Sequence, residues 1–411
     1  METSDVIEQL TKTGFDEEAL AALPPTTPFV ETIRKQAFQE FLAQPIPSQE
    51  TEEWRYTDLS DFELSFEQHV PSVVRTTSGQ DLNGLGIVFC DLDLAIANHP
   101  DLVERHLNGL VSTDRSKFTA LHAAFRTGGT FLYVPHGVEI AVPIQTVTWI
   151  DADGSAVFPR TLLVTEEGAE VTFIDRYVSP NLARALSDAV VEIYAGPNSR
   201  VSYVVLQEWG DGVTHLAVQR ARVARDAHLR WLGVALGGSL ARAEVESLLA
   251  EDGGSSEMLG LYFGDGDQHI DHRSLQDHVG SRTSSDLLYK GAMKGRSNAI
   301  NTGTVIIEQG AHRCDAYQTN RNILLSETAR AHSVPNLEIL TNDPTRCGHA
   351  ASVGPVDEDQ LFYLMSRGIS REEAQRLVVF GFFREVLDRV DLEEIRTGLE
   401  RAIEAELAKE D

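Results

Sequence analysis

Cysteine and lysine are scarce in this sequence, and long hydrophobic runs are missing altogether. Its three cysteines, Cys90, Cys314 and Cys347, are too few and too scattered for a disulfide framework. They read either as reduced thiols or, for one or two of them, as ligands. No stretch approaches the roughly 18 uncharged apolar residues that a membrane helix requires. The opening Met1-Glu2-Thr3-Ser4-Asp5 is acidic and lacks the positive start of a secretory signal, so the expected compartment is the cytoplasm, with no membrane partner. Only six of the 35 basic residues are lysine, and 63 acidic residues bring the net charge to −28. Such a surface repels polyanions, which argues against a nucleic-acid partner. Acidic, lysine-poor composition fits either a salt-rich cytoplasm or a GC-rich genome.

Catalytic signatures are missing too. There is no GxxxxGK[ST] loop, no GxGxxG opening a helix, and no GxSxG, HExxH or CxxC. The segment Gly291-Ala-Met-Lys-Gly-Arg-Ser297 has residues of a phosphate loop in the wrong order, so no bound nucleotide and no ATPase activity are expected of this chain.

Three textures follow one another along the 411 residues. Residues 1–83 read as a helical region. Val30, Ile33, Arg34, Ala37, Phe38 and Phe41 form a helical stripe, which Pro45 and Pro47 end. Residues 84–354 are rich in short Val, Ile, Leu, Thr and Tyr runs between Gly, Asp, Asn and Ser clusters, the signature of strands and turns. Runs beginning near Ala241, Ser256, Gln268, Thr283, Asn298, Cys314, Arg330 and Cys347 are spaced by about 12 to 17 residues, which fits a sandwich or a degenerate β-solenoid. Asn298, Asn301, Asn320 and Asn322 favour the solenoid, where stacked rungs can pair amides in ladders. Residues 355–411 turn helical again. Asp357, the Ser370/Glu373 pair and the Asp391/Glu394 pair are placed to cap successive helices.

Histidine and cysteine gather late in the chain. Residues two apart on a strand share a face, so His312/Cys314 and Cys347/His349 are each positioned to offer N and S ligands suited to zinc, iron or an iron–sulfur cluster. The competing reading is a small buried thiol beside a hydrogen-bonded imidazole. Polar neighbours place His269, His272 and His278 on a solvated strand.

Tyr289-Lys-Gly-Ala-Met-Lys-Gly-Arg-Ser297, Asp315-Ala-Tyr-Gln-Thr-Asn-Arg-Asn322, Cys347-Gly-His349, Asp359-Gln-Leu-Phe-Tyr-Leu-Met-Ser-Arg-Gly368 and Gly381-Phe-Phe-Arg-Glu-Val386 resemble, in order and spacing, the C-terminal half of SufB/SufD proteins. Trp54-Arg-Tyr-Thr-Asp-Leu59 resembles the N-terminal motif of the SufD branch. Arg321 stands where SufB proteins carry a sulfur-accepting cysteine, and Ala350 where they carry a glutamate; both departures point to SufD. The resemblance implies a mainly β fold, a right-handed parallel β-helix flanked by N-terminal and C-terminal helical regions. It implies a non-catalytic scaffold subunit that pairs with a SufB-like subunit through the core and docks a SufC-like ABC-type ATPase through C-terminal helices, with self-pairing in isolation. A transient iron–sulfur cluster or iron is expected at the SufB interface, with His349 the first ligand candidate and Cys347 the second. Leu361, Phe362, Tyr363, Arg367, Gly381 and Phe382 are the candidates for ATPase docking. The alternatives are a SufB-like homodimeric scaffold and, more remotely, a β-helix enzyme acting on polysaccharide.

Overall fold

The structure, a computed structural model, describes residues 14–77, 79, 82–390 and 393–407. The acidic start Met1–Asp5 and Asp391 lie outside the described residues.

From Thr130 to Pro355 the chain is strand and turn, and successive strands alternate between two sheets. From Ala185 to Leu324 each strand pairs in parallel with the strand two before it and the strand two after it. That pairing decides between the two architectures: a sandwich is built from antiparallel neighbours, whereas this is a parallel β-solenoid of about eight turns. The observed strands Leu240–Leu249, Ser255–Gly264, His269–His278, Ser284–Met293, Asn298–Ile307, Asp315–Leu324, Arg330–Ile339 and Arg346–Pro355 begin within a residue or so of the expected runs.

Corners set the repeat. Gly168, Asn198, Asp226, Gly253, Arg282 and Arg313 all have positive φ and sit two residues before successive strands of one sheet. The backbone must turn through the left-handed region there, which Gly and Asn adopt at least cost. Their N–H groups form a ladder up the solenoid: Asn198 donates to Arg225 O (2.9 Å), Asp226 to Asp252 O (3.1 Å), Gly253 to Ser281 O (2.9 Å) and Arg282 to His312 O (2.7 Å).

Inward side chains such as Phe173, Tyr203, Trp231, Met258 and Leu287 form the main core. The outer face of the same sheet is also buried: Leu232, Leu259, Leu261, Phe263 and Leu288 pack against C-terminal helices. Strands buried on both faces read as continuous apolar runs, as Met258-Leu-Gly-Leu-Tyr-Phe263 does.

The helices before the solenoid are α1 (Glu17–Ala21), α2 (Pro28–Ala43), α3 (Leu92–Asn98), α4 (Pro100–Glu104) and α5 (Lys117–Phe125), the last three within residues 84–354, where the sequence texture reads as strands and turns. Phe38, Phe41, Phe118, Leu121 and Phe125 cluster over Leu186 and Leu216 on the outer face of the other sheet. Of the α2 stripe Val30, Arg34, Ala37, Phe38 and Phe41 are buried and Ile33 is half-buried, and Arg34 goes further than burying its stem: its guanidinium donates to Pro24 O (2.9 Å) and Arg126 O (3.2 Å). The C-terminal helices are α6 (Glu358–Ser366), α7 (Arg371–Leu387) and α8 (Glu393–Leu407). Asp357 caps α6 by accepting from Asp359 N and Gln360 N, and Ser370 caps α7 by accepting from Glu373 N.

The expected amide ladders take a different form. Asn320 and Asn322 are buried, but they bond sideways: Asn322 Nδ2 donates to Asn320 Oδ1 (2.8 Å), and Tyr262 Oη donates to Asn322 Oδ1 (2.6 Å) from two rungs away. Gly291, between Tyr262 and Asn322 in register, makes this possible, since a Cβ there would meet the Tyr262 ring at 2.1 Å.

Candidate functional site

The solenoid ends on an uncovered rung. Arg330–Ile339 and Arg346–Pro355 are the terminal strands of their sheets, so among the described residues each leaves one backbone edge without a strand partner. Inward-facing Ile339 and Val353 are more than two-fifths exposed there, because no further rung lies over them. A long, partly apolar strand edge is a template for pairing with another chain.

Cys347 and His349 lie on this last strand. They are in register with Ala316 and Gln318, both inward and buried, so they face the solenoid axis while Gly348 points out. A Cβ at residue 348 would come within 3.1 Å of the Tyr317 ring, which helps fix glycine between them. Cys347 is half-buried against the small cluster of Val305, Ile307, Ala311, Cys314 and Ala316. Burial pushes its thiol pKa up from the ordinary value, so the protonated form is favoured. His349 is exposed at the rim. Among the described residues no three His, Cys, Asp or Glu side chains converge on one point. Taken alone, the rim offers one imidazole and one thiol, an incomplete coordination set.

The other histidines and cysteines are arranged differently from expectation. His312 and Cys314 occupy a corner rather than a strand and part company. His312 is exposed, its Nδ1 2.8 Å from Asp343 Oδ1, and this bond holds the Asp343 carboxyl below its usual range. Cys314 is fully buried and accepts a hydrogen bond from Thr283 Oγ1 (3.2 Å). His269, His272 and His278 are not on a solvated strand. His272 and His278 are buried inside the solenoid, His272 against the rings of Tyr262 and Tyr289, while His278 bonds Thr283 (2.7 Å) and Ser285 (2.8 Å). His269, on the outer face, lies 3.0 Å from Thr57 Oγ1.

Arg321 points outward, away from Cys347 and His349, toward α7. Its guanidinium lies 3.8 Å from Glu385, which also pairs with Lys290 at 2.6 Å. The Lys290 and Arg321 cations hold the Glu385 carboxyl below its ordinary pKa, the Lys290 hydrogen bond being the largest cause.

Five of the six residues assigned to ATPase docking fall on α6 and α7, and Arg367 is the C-cap of α6. Leu361 is buried, whereas Phe362 and Tyr363 are 72% and 57% exposed. Arg367 lies over the Tyr363 ring at 5.1 Å. Gly381, Phe382, Tyr363 and Leu377 line an open groove of about 850 Å3 between α6, α7 and the end of the solenoid.

Sequence reasoning left the Trp54–Leu59 motif without a role. The structure lays it across the outer face of the second sheet. Arg242 sits 4.0 Å over the buried Trp54 ring and forms a buried ion pair with Asp271. Thr57 Oγ1 donates to Asp271 Oδ2 (2.7 Å), and Tyr56 stacks on His332 (5.9 Å), a residue of the terminal strand. The N-terminal segment is thereby strapped to the last rungs. The signal was two large aromatics, Trp54 and Tyr56, in a polar stretch; their partners lie on strands far along the chain and leave no local trace.

Comparison with known proteins matches most of the chain to one family. Residues 148–382 match the family described as SUF system FeS cluster assembly, SufBD core domain, and residues 68–146 match the SufBD protein N-terminal region. The iron–sulfur cluster assembly protein SufD of Bacillus subtilis is 36% identical over 329 residues, covering 79% of this chain and 75% of that protein. A SufBD family protein of Mycobacterium tuberculosis is 36% identical over 307 residues, covering 73% and 76% respectively. One from Staphylococcus aureus is 30% identical over 327 residues, covering 79% and 70%. No helix among the described residues is long and apolar enough to cross a membrane. This chain, SufD-like in sequence, belongs to the SufBD family of iron–sulfur cluster assembly proteins.

Proposed function

We propose that the chain is a non-catalytic SufD-like scaffold subunit, which pairs with a SufB-like subunit at the open end of the solenoid and docks a SufC-like ATPase on α6 and α7. The observation that carries this reading is the last rung, where two strand edges and exposed apolar side chains surround an inward Cys347 and a rim-exposed His349. A partner seated on those edges completes the sheets and brings its own ligands to the half-set this chain supplies. The nascent cluster is then cargo at the junction. His349 contributes a nitrogen donor. Cys347, whose thiol is held protonated by burial, must lose its proton to bind iron, so its contribution grows as pH rises.

Helices α7 and α8 support the docking half. Their inner faces are fixed to the solenoid sheet, so a shift imposed on the outer groove passes to the sheet as a rigid-body movement. The test is co-expression with SufB-like and SufC-like subunits followed by affinity purification through this chain. Co-purification of both, with ATP hydrolysis only when the ATPase is present, is expected. Robust ATP hydrolysis by the isolated chain, or failure to retain either partner, contradicts the reading.

A further inference from the structure

The solenoid interior carries more polar atoms than its own side chains satisfy. His215, Gln219, Trp231 and His272 line a cavity of about 30 Å3 between the two sheets. Gln219 Oε1, Trp231 Nε1 and His272 Nδ1 are buried and have no hydrogen-bond partner among the described residues. Orphaned buried donors and acceptors are uncommon in native proteins, because each forfeits its hydration without return. The space is roughly twice the 10–15 Å3 that one water needs, and the three atoms match the usual complement of partners for a buried water.

The same chemistry continues toward the open end. His272 is in register with Asn301, whose Nδ2 is also unpartnered, and Asn301 with Ser333 on the terminal strand. Ser274 and Gln276, on the His272 strand, are orphaned too. Ser274 is in register with Gly303, where a Cβ would meet Gln318 Oε1 at 2.2 Å and Ser274 Oγ at 3.5 Å. The absent side chain lets Gln318 approach Ser274, and Gln318 in turn lies in register beneath His349.

We propose that the solenoid axis binds an ordered file of water molecules, running from the His215–His272 cavity toward the last rung beneath His349. Water fits the lining better than other occupants do. An apolar ligand would leave three polar atoms unsatisfied, an anion would meet no cationic side chain in this lining, and a metal ion would find no carboxylate or thiolate there. Burial lowers the His215 pKa to about 3 and that of His272 to about 4, so both rings are neutral near pH 7, each with one donor and one acceptor nitrogen. The end point at His349 bears on the proposed metal site, but the file itself stands without that reading.

The test uses the full chain alone, so it does not depend on cluster assembly. A high-resolution crystal structure should show ordered solvent within hydrogen-bond distance of Gln219 Oε1, Trp231 Nε1 and His272 Nδ1. Oxygen-17 relaxation dispersion in solution should detect long-lived internal water. Both Gln219→Leu and His272→Phe should lose that solvent peak and lower the number of long-lived waters; should His272→Phe fail to fold, Gln219→Leu carries the comparison. A wild-type cavity without solvent density and no long-lived component in solution overturns the proposal. So does an anomalous signal from a metal ion at the site.

Discussion

Acid should weaken this fold through its buried histidines. Burial lowers the pKa of His215 to about 3 and those of His272 and His278 to about 4, from an ordinary value of 6.5. In the unfolded chain all three titrate near the ordinary value, so below it the unfolded state binds protons that the folded state refuses. The stability their neutral forms allow is therefore complete above 6.5 and is lost as pH falls toward the folded values. At about pH 5 each histidine costs ~2 kcal/mol, from a gap of about 1.5 units at 1.36 kcal/mol per unit, and together they cost roughly 5–6 kcal/mol. Carboxylates titrate in the same window, so the discriminating quantity is a difference between variants. His272→Phe keeps an aromatic ring between Tyr262 and Tyr289 while removing one titrating group. Urea unfolding of wild type and variant at about pH 7 and about pH 5 should show the wild type losing ~2 kcal/mol more than the variant. An identical loss in both proteins would refute the assignment of His272 as a neutral interior residue.

Two further outcomes concern surfaces and straps. Phe362→Ala with Tyr363→Ala should leave the melting temperature unchanged, since both are exposed, yet weaken ATPase binding by about 30-fold or more if they are anchors worth roughly 2 kcal/mol in sum; unaltered affinity by titration calorimetry would move the dock elsewhere. Trp54→Ala should destabilise by about 3–5 kcal/mol, because it empties a buried site and removes the ring beneath Arg242; a change below about 1 kcal/mol in thermal unfolding would mean that the strap contributes little.

Much of the architecture was legible because the solenoid writes itself locally. The corners that lead into one sheet pass through positive φ, so Gly168, Asn198, Asp226 and Gly253 punctuate the sequence at a regular interval. The caps at Asp357 and Ser370 act on N–H groups two or three residues away, well within a reading window. The shared face of Cys347 and His349 follows from strand alternation alone. What alternation cannot say is which face. It took the register with Ala316 and Gln318 to turn the pair inward, and the end of both sheets to leave the rim exposed.

Other features were hidden for identifiable reasons. His272 and His278 have polar sequence neighbours, yet Asp271, Arg273 and Asp277 alternate to the outer face of the same strand while the histidines turn inward, so local polarity misrepresents burial. The Thr57–Asp271 and Trp54–Arg242 contacts join segments whose separation is set by the whole solenoid. Helices α7 and α8 shield Leu259, Leu261 and Phe263, a role their amphipathic pattern alone does not assign. For the same reason, deleting residues 357–411 would bare an apolar sheet face, which makes point substitutions in the outer groove the cleaner test of docking.

His349 is proposed to serve the nascent cluster from the rim of the last rung. This role is tested most directly by measuring iron and acid-labile sulfide per complex after co-expression of His349→Ala with its partners, beside Cys347→Ser and Cys314→Ala. The complex should still assemble, because one rim imidazole adds little to an interface built on two strand edges. Cluster content should fall most in His349→Ala, less in Cys347→Ser, and least in Cys314→Ala, whose thiol is buried against Thr283. Wild-type iron and sulfide in an assembled His349→Ala complex would contradict the account.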